Sequence, residues 1–278
     1  MITASLVLYH SPDEQLHRIL KCVEDSIIER IYVIDNSSSE NSRQVCSMYS
    51  KAEYQQHENT GYGDSHNIGM RKALECNSDY HLVVNPDIYF EPSTISELKE
   101  YMDSNIDIAQ IMPKVLNPDG SIQYLCKLVP SPFDLIIKRF LPNKIKQKAS
   151  YKFQLKFTNY DKIMDVPYLS GCFMFFRTKA FDTVGFFDDR FFMYPEDIDI
   201  TRRMHESFRT VFYPFVSVVH DHAAESYKSK KMLKIHITNM IKYFNKWGWI
   251  FDKKRRKINK KVLKELNYKK LKGDNSCK

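Results

Sequence analysis

Short apolar runs alternate with helically spaced apolar positions along the first half of the chain. Residues 5 to 10 (SLVLYH) predict a strand, residues 12 to 25 a helix, and residues 31 to 35 (IYVID) a second strand, which together make a βαβ unit. A weaker helix is expected over residues 40 to 50. Gly61 and Gly63 then predict a loop, and Asp64 or Ser65 caps a helix running to about Cys76. The run YHLVVNPDIYF (80 to 90) predicts a strand broken at Pro86. Thr94 and Glu97 have capping-box spacing for a helix over residues 95 to 102. A strand follows over residues 107 to 116, and NPDG at 117 to 120 is a turn. Residues 121 to 163 mix basic and apolar positions around Pro130, Pro132 and Pro142, have no clear period, and are expected to be a variable insertion. Regularity returns with VPYLSGCFMFFRTKAF (166 to 181), a strand leading into a short helix, and with TVFYPFVSVVH (210 to 220), a strand ending in His220. The pattern is an α/β domain whose early sheet is parallel and whose continuation is mixed.

Beyond this body, Leu233, Ile237, Met240, Phe244, Trp247 and Phe251 recur at spacings of four and three, which puts them on one helical face. Charge sets the segment apart: residues 228 to 278 carry 18 Lys and Arg against 3 acids, while residues 1 to 227 carry 24 against 31. The net charge of +8 therefore belongs to a basic tail. Two readings follow for it: an amphipathic helix on an anionic membrane surface, or a helix packed back on the body. No nucleic-acid-binding module accompanies the charge, so nucleic acid is not an expected partner. With 278 residues and 43% hydrophobic composition, one sizeable core is expected, with residues 1 to 227 as a domain and 228 to 278 as an appended tail. The opening residues have no signal-peptide pattern, and no run of 18 apolar residues occurs. Six cysteines without CxxC spacing indicate neither a zinc module nor a disulfide framework. A cytoplasmic protein is expected, peripheral on the inner face of the membrane if the tail binds there.

Three carboxylates and a histidine stand where chemistry is expected. Asp35 closes the second strand, where it would accept hydrogen bonds from a nucleotide or else start an Asx-turn. Asp87, in NPD just past an apolar strand, suits a Mg²⁺ or Mn²⁺ ion that also holds phosphates, or else is a turn aspartate. His220 ends the last strand, where it can complete a metal site with Asp87, contact a diphosphate, or simply be one of a surface histidine pair with His222. Lys228 follows closely and could neutralise phosphate. In FFMYPEDIDITRRM (191 to 204), a helix starting near Ile198 would pair Asp199 with Arg202 and Arg203 and leave Asp197 partly as an N-cap.

In order along the chain stand Asp35, NTGYGDSHNIG with Gly61 and Asn67, NPD, SGCFMFFR with Gly171, FFMYPEDIDITRR, and His220. This ordered set resembles the family 2 glycosyltransferases of the GT-A fold. The nearest branch is the bacterial one containing rhamnosyl- and galactofuranosyltransferases of surface-polysaccharide assembly. The resemblance covers roughly residues 1 to 227. It implies a mixed central sheet flanked by helices, with a nucleotide-diphospho-sugar bound over residues 1 to 115 and an acceptor over residues 116 to 227. The donor would be dTDP-rhamnose or a UDP-hexose, and the acceptor a lipid-linked or growing glycan. Carried over residue by residue, Asp35 looks like the base-binding aspartate, with Tyr9, Asn36, Gly61, Asn67, Asn85, Asp87 and Lys228 also on the donor side. Asp87 looks like the last acid of the family's metal motif and His220 like its distal metal or diphosphate ligand. Asn85 replaces the motif's first acid, which loosens the expected dependence on Mg²⁺ or Mn²⁺. Asp197 looks like the general base of an inverting displacement. Glu196 contacts or orients the acceptor, alongside Gly171 and Tyr194, and the aromatics of FFMY are expected to wall the site. Two other readings remain. A sugar-phosphate nucleotidyltransferase would need an amino-terminal Gly-rich loop followed by Arg and Lys, which SLVLYHSPDEQ lacks; a silent assembly subunit would be free to lose the acids kept here.

Overall fold

The computed structural model of the protein describes residues 1–137, 141–221 and 230–269. In chain order the elements are β1 (Ile2–Leu8), α1 (Asp13–Asp25), β2 (Arg30–Asp35), α2 (Glu40–Ser47), β3 (Ala52–Gln56), α3 (Tyr62–Glu75), β4 (Tyr80–Val84), β5 (Ile88–Phe90), α4 (Ser93–Asp103) and β6 (Ile108–Leu116). They continue with α5 (Pro132–Leu135), α6 (Asn143–Phe153), β7 (Met164–Asp165), β8 (Phe173–Arg177), α7 (Phe181–Val184), α8 (Glu196–Ser207), β9 (Arg209–His220), α9 (Lys230–Trp247) and α10 (Lys253–Glu265). The strands make one mixed sheet in the order β3-β2-β1-β4-β8-β6-β9-β5, with β7 paired to β9.

The parallel part is β3-β2-β1-β4, and β1, β2 and β4 are buried on both faces while β3 forms the edge. In α1, Leu16, Ile19, Leu20 and Val23 form the buried stripe, while Asp13 and Glu14 favour the positive end of the helix. Helix α3 lies close on β1, because a Cβ at Gly69 would come within 2.6 Å of the Ser5 Cβ. Beneath it, Ser5 Oγ reaches His66 Nδ1 at 2.7 Å and His81 Nε2 at 3.0 Å. Burial lowers the pKa of both imidazoles, so this polar layer under the sheet is neutral. Beyond β4 the sheet turns antiparallel through β8, then pairs β6 with β9 in parallel. The sheet thus runs unbroken past residue 115, which lies inside β6.

Several local expectations are corrected. Helix α4 begins at Ser93, so Thr94 is buried inside its first turn and makes no capping box with Glu97. Helix α3 begins at Tyr62 rather than near Asp64, and Gly63 is a helical residue pressed against Phe187 and Glu196. Strand β3 (AEYQQ) was not expected; it is a polar edge strand with no apolar alternation to mark it. The described residues between 121 and 163 contribute to the body. Leu128, Phe153, Leu155, Phe157 and Tyr160 join the main core, and the Tyr160 hydroxyl accepts from the Cys126 amide at 3.0 Å.

The apolar face of α9 also packs inward, with Met240, Tyr243 and Phe244 each at most 1% exposed. Phe251 lies past the end of α9 and is 84% exposed, so it does not share that face. No helix among the described residues is long and apolar enough to cross a membrane. His222 and Lys228 lie outside the described residues.

Candidate active site

Sheet register builds one end of the site. Strands β5 and β9 pair antiparallel with Ile88 opposite His220, and the Asp221 amide donates to the Asp87 carbonyl at 2.9 Å. Asp87 and His220, more than 130 residues apart in sequence, are thereby brought to 3.3 Å (Oδ1 to Nε2). The other imidazole nitrogen, Nδ1, lies 2.9 Å from Gln123 Oε1, which fixes the ring. Burial alone would lower the His220 pKa; hydrogen bonds and charge from Asp87 and Cys172 outweigh it and raise the value to about 10.

The antiparallel pairing of β4 with β8 continues into the Asn85 amide, which donates to the Cys172 carbonyl at 3.0 Å. Gly171 is therefore a neighbour of NPD. Tyr62, on the first turn of α3, spans the two. Its hydroxyl lies 2.9 Å from Asn85 Oδ1 and 2.7 Å from the Gly171 carbonyl, and its one proton serves either acceptor. Gly61 makes this position possible. It has φ +116°, and any Cβ there would fall 2.4 Å from the Phe192 carbonyl oxygen. That same carbonyl accepts from the Tyr62 amide at 2.9 Å.

The acids of FFMYPEDIDITRRM occupy the start of α8, which begins at Glu196 rather than Ile198. Asp197 is 8% exposed, and its Oδ2 accepts from the Gly171 amide at 3.0 Å while Oδ1 accepts from the Ile198 amide at 2.7 Å. A Cβ on Gly171 would stand 3.2 Å from the Asp197 Cβ, so the glycine allows this approach. Glu196 is 4% exposed and its Oε2 has no hydrogen-bond partner. Burial raises both carboxyl pKa values. Glu196 is pushed further by the adjacent Asp197, whereas Lys127 and the two amides pull Asp197 back. Two buried carboxyls with separated pKa values are a familiar arrangement for proton transfer.

Behind these acids α8 is locked in place. Asp199 pairs with Arg203 at 2.8 Å and with Lys246 at 2.7 Å, and accepts from the Trp247 indole at 2.7 Å. Arg202 does not join Asp199 as its spacing suggested. It points the other way, 1% exposed, into a two-pronged pair with Asp252 at 2.8 and 2.9 Å, its guanidinium 3.9 Å over the Trp247 ring. The helix after the body therefore braces the acids of the site.

Some expected donor residues have other work. Asp35 is fully buried, and its carboxylate accepts from the Ser37 amide and hydroxyl, the Ser39 amide and the Tyr54 hydroxyl. It holds its own loop, as the Asx-turn reading had it. Asn67 is 3% exposed and both ends of its amide bond the Phe187 backbone at 2.9 Å, so it anchors the loop before α8 instead of facing a ligand. Phe191 is fully buried core rather than a wall of the site. Asn36 remains suited to a ligand: its amide nitrogen donates to Ser65 Oγ at 2.7 Å, while Oδ1 is buried without a partner. Tyr9 is 58% exposed at the end of β1, leaving a ring face for stacking. Tyr194 has φ +94°, a strained conformation for a bulky residue, and its ring meets His236 at 5.1 Å just before Glu196.

Three side chains at the site escaped sequence reading: Tyr62, Lys127 and Gln123, the last in the aperiodic segment and bonded to His220. Tyr62 lay between two glycines that drew attention to the backbone. Lys127 lay in a segment with no period; its backbone pairs with Tyr168, and its ammonium sits 4.6 Å over the Tyr168 ring and 3.3 Å from the hydroxyl. Burial lowers its pKa and the charge on Asp197 raises it. Among the described residues no carboxylate lies within ion-pair distance of Lys127. For a divalent cation, the donors that fit are Asp87, whose buried Oδ1 faces His220 Nε2 at 3.3 Å, and His220 itself, with the Asn85 amide beside them. Among the described residues no group of three His, Cys, Asp or Glu side chains stands together. A cation here would take the rest of its oxygen shell from the substrate and water.

Comparison with known proteins bears on the family and the fold. The model described as "Glycosyl transferase family 2" matches residues 9–185. The chain is 28% identical over 181 residues to the N-acetylglucosaminyl-diphospho-decaprenol L-rhamnosyltransferase of Mycobacterium tuberculosis, an alignment spanning 60% of this chain and 57% of that relative. It is 25% identical over 250 residues to the rhamnosyltransferase WbbL of Escherichia coli, covering 86% of this chain and 90% of the relative. Among solved structures, GalNAc-T7 with UDP, GalNAc and Mn²⁺ aligns with a TM-score of 0.61 at 14% identity, over 86% of this chain and 47% of that one. The architecture is the GT-A fold expected from the motif order.

Proposed function

The chain belongs to glycosyl transferase family 2, and from that premise we propose that it transfers a sugar, with inversion, from a nucleotide-diphospho-sugar to a hydroxyl of a lipid-linked or growing surface glycan. Its relatedness to rhamnosyltransferases favours dTDP-rhamnose as donor, with a UDP-hexose as the second choice. The observation that carries this reading is the convergence of a buried, amide-held Asp197 with the Asp87–His220 pair, joined through Gly171, Tyr62 and Asn85. One relative's name specifies an acceptor on a lipid diphosphate, which supports the lipid-linked choice. A catalytically silent subunit is disfavoured, because holding two buried acids together is costly unless they have work.

In this reading Asp197 takes the proton from the acceptor hydroxyl. The hydroxyl oxygen bonds to the anomeric carbon from the face opposite the diphosphate, and the departing nucleoside diphosphate keeps the electron pair of the broken C–O bond. Glu196, whose raised pKa keeps it protonated longer, is suited to hydrogen-bond the acceptor. Asn36 and Tyr9 would bind the nucleotide, with Asp35 shaping their loop. Asp87 and His220 would hold a divalent metal that neutralises the diphosphate charge. Lys127 steadies the ionised form of Asp197.

Substituting Lys127 by Met removes the opposing charge, so the Asp197 carboxyl rises further and the acid limb of the kcat/KM profile moves upward, by up to about one pH unit. An unmoved limb in a folded variant removes this role. The proposed reaction itself is tested with UDP-, dTDP- and GDP-sugars, first by thermal shift and then by release of nucleoside diphosphate with glycan acceptors. If no sugar nucleotide raises the melting temperature and none is consumed, the reading fails.

A further inference from the structure

Because α9 packs on the body at Met240, Tyr243 and Phe244, the surface left over after it becomes informative. The chain turns at Gly248, with φ +98°, and presents Trp249, Ile250 and Phe251 at 39%, 64% and 84% exposure. The turn has a defined shape: the Trp249 indole donates to Asn245 Oδ1 at 2.8 Å and Arg256 donates to the Ile250 carbonyl at 3.2 Å. Helix α10 begins at once, capped by Asp252, whose side chain accepts from the Arg255 amide. It buries Arg255 and Val262 and turns a cationic face outward. On that face Lys253, Arg256, Lys257, Lys260 and Lys264 are exposed and have no ion-pair partner among the described residues.

A second basic helix meets the first. Helix α6, NKIKQKASYKF, buries only Phe153 and has no acid, and its Ile145 is 50% exposed. Its end abuts the end of α10 through Tyr268, whose ring lies 4.8 Å from Phe157 and 5.5 Å from Lys152 Nζ. Helix α10 thus follows the apolar projection at its start and meets a second lysine-rich helix, far away in sequence, at its end.

We propose that the exposed 249–251 turn, together with the outward faces of α10 and α6, docks the enzyme on an anionic lipid bilayer. This deepens the transferase reading and rests on it for the acceptor alone. Apolar side chains flanked by cations match an interface where acyl chains lie below anionic headgroups. A nucleic acid would match the charge and leave Ile250 and Phe251 in water. The surface is also tied to the acceptor side of the site. Asn259 on α10 makes two 2.9 Å hydrogen bonds with the Val129 backbone, two residues from Lys127. A docked α10 would therefore hold the acceptor half of the site toward a lipid-linked substrate.

The test uses the full chain and flotation with phosphatidylcholine vesicles, with and without phosphatidylglycerol. Binding is expected to the anionic vesicles and to be at least about tenfold weaker to neutral ones. The triple variant W249S/I250S/F251S and the triple variant K253E/K257E/K260E should each lose about tenfold or more in apparent affinity. The single variant F251S, at the most exposed position, should lose part of it while retaining the parent melting temperature. Trp249 emission should shift to the blue on anionic vesicles. Parent-like flotation of the serine variants, or displacement of the protein from vesicles by short duplex DNA, overturns the proposal. Stabilisation by a sugar nucleotide should be the same in every variant, so a failure here is distinct from a failure of the transferase reading.

Discussion

Asp197→Asn should lower turnover by about 10² to 10⁴ while sugar-nucleotide binding stays near that of the parent. The carboxylate is held by two backbone amides, from Gly171 and Ile198, so the oxygen that takes the acceptor proton is already oriented. An asparagine in the same pose has no basic oxygen to receive that proton. Its NH₂ would also face at least one of those amide donors, so the side chain must turn or lose a bond. The variant should nonetheless be folded. Burial raises the Asp197 pKa above its unfolded value, so the native state binds protons more tightly there. The stability linked to this group is then fully present below the ordinary carboxylate range and is lost as pH climbs through the raised pKa. At neutral pH the ionised Asp197 therefore costs stability, and a neutral isostere should melt no lower than the parent. Single-turnover kinetics with calorimetric donor binding checks both halves. A folded variant with more than about a tenth of parental turnover would rule out Asp197 as the base.

The second large effect is on the donor side. Asp87→Ala should abolish the Mn²⁺-dependent part of donor binding, weakening the affinity measured with metal by about tenfold or more. It removes the carboxylate whose Oδ1 stands 3.3 Å from His220 Nε2 at the head of the donor side. Calorimetry of the variant with and without Mn²⁺ distinguishes the possibilities. Parent-like affinity in both conditions would leave Asp87 with the structural task of fixing His220, and the metal assignment would fall. Asn85 makes the comparison informative: with an amide in place of the motif's first acid, Asp87 is the only carboxylate of NPD.

Much of this site was legible as motifs, and little of it as geometry. NPD and His220 were both singled out, yet their meeting depends on the pairing of the three-residue strand β5 with β9. Asp197 and Gly171 were likewise marked, but the hydrogen bond between them requires α8 to start two residues before the expected Ile198. The salt-bridge spacing of Asp199 was half informative. Arg203 took the local partner, while Arg202 was claimed by Asp252 on a helix cap that no local rule could have proposed. Asp35 and Asn67 carry the opposite lesson. Both occupy motif positions, and in the structure both bond chain segments around them.

By itself the sequence determined what depends on neighbours along the chain: the alternation of most strands and helices, the turn at NPDG, the order of motifs, and the concentration of positive charge after the body. Tertiary structure alone decided which side chains share the site. Tyr62, Lys127 and Gln123 enter it through strand register and helix docking across the fold. It also decided that the apolar stripe of α9 packs on the body around Met240, Tyr243 and Phe244 while the turn after it stays exposed. Burial and hydrogen bonding act between segments remote in sequence, so whether an acid becomes a salt bridge, a loop staple or a base is settled only when the sheet brings its partners together.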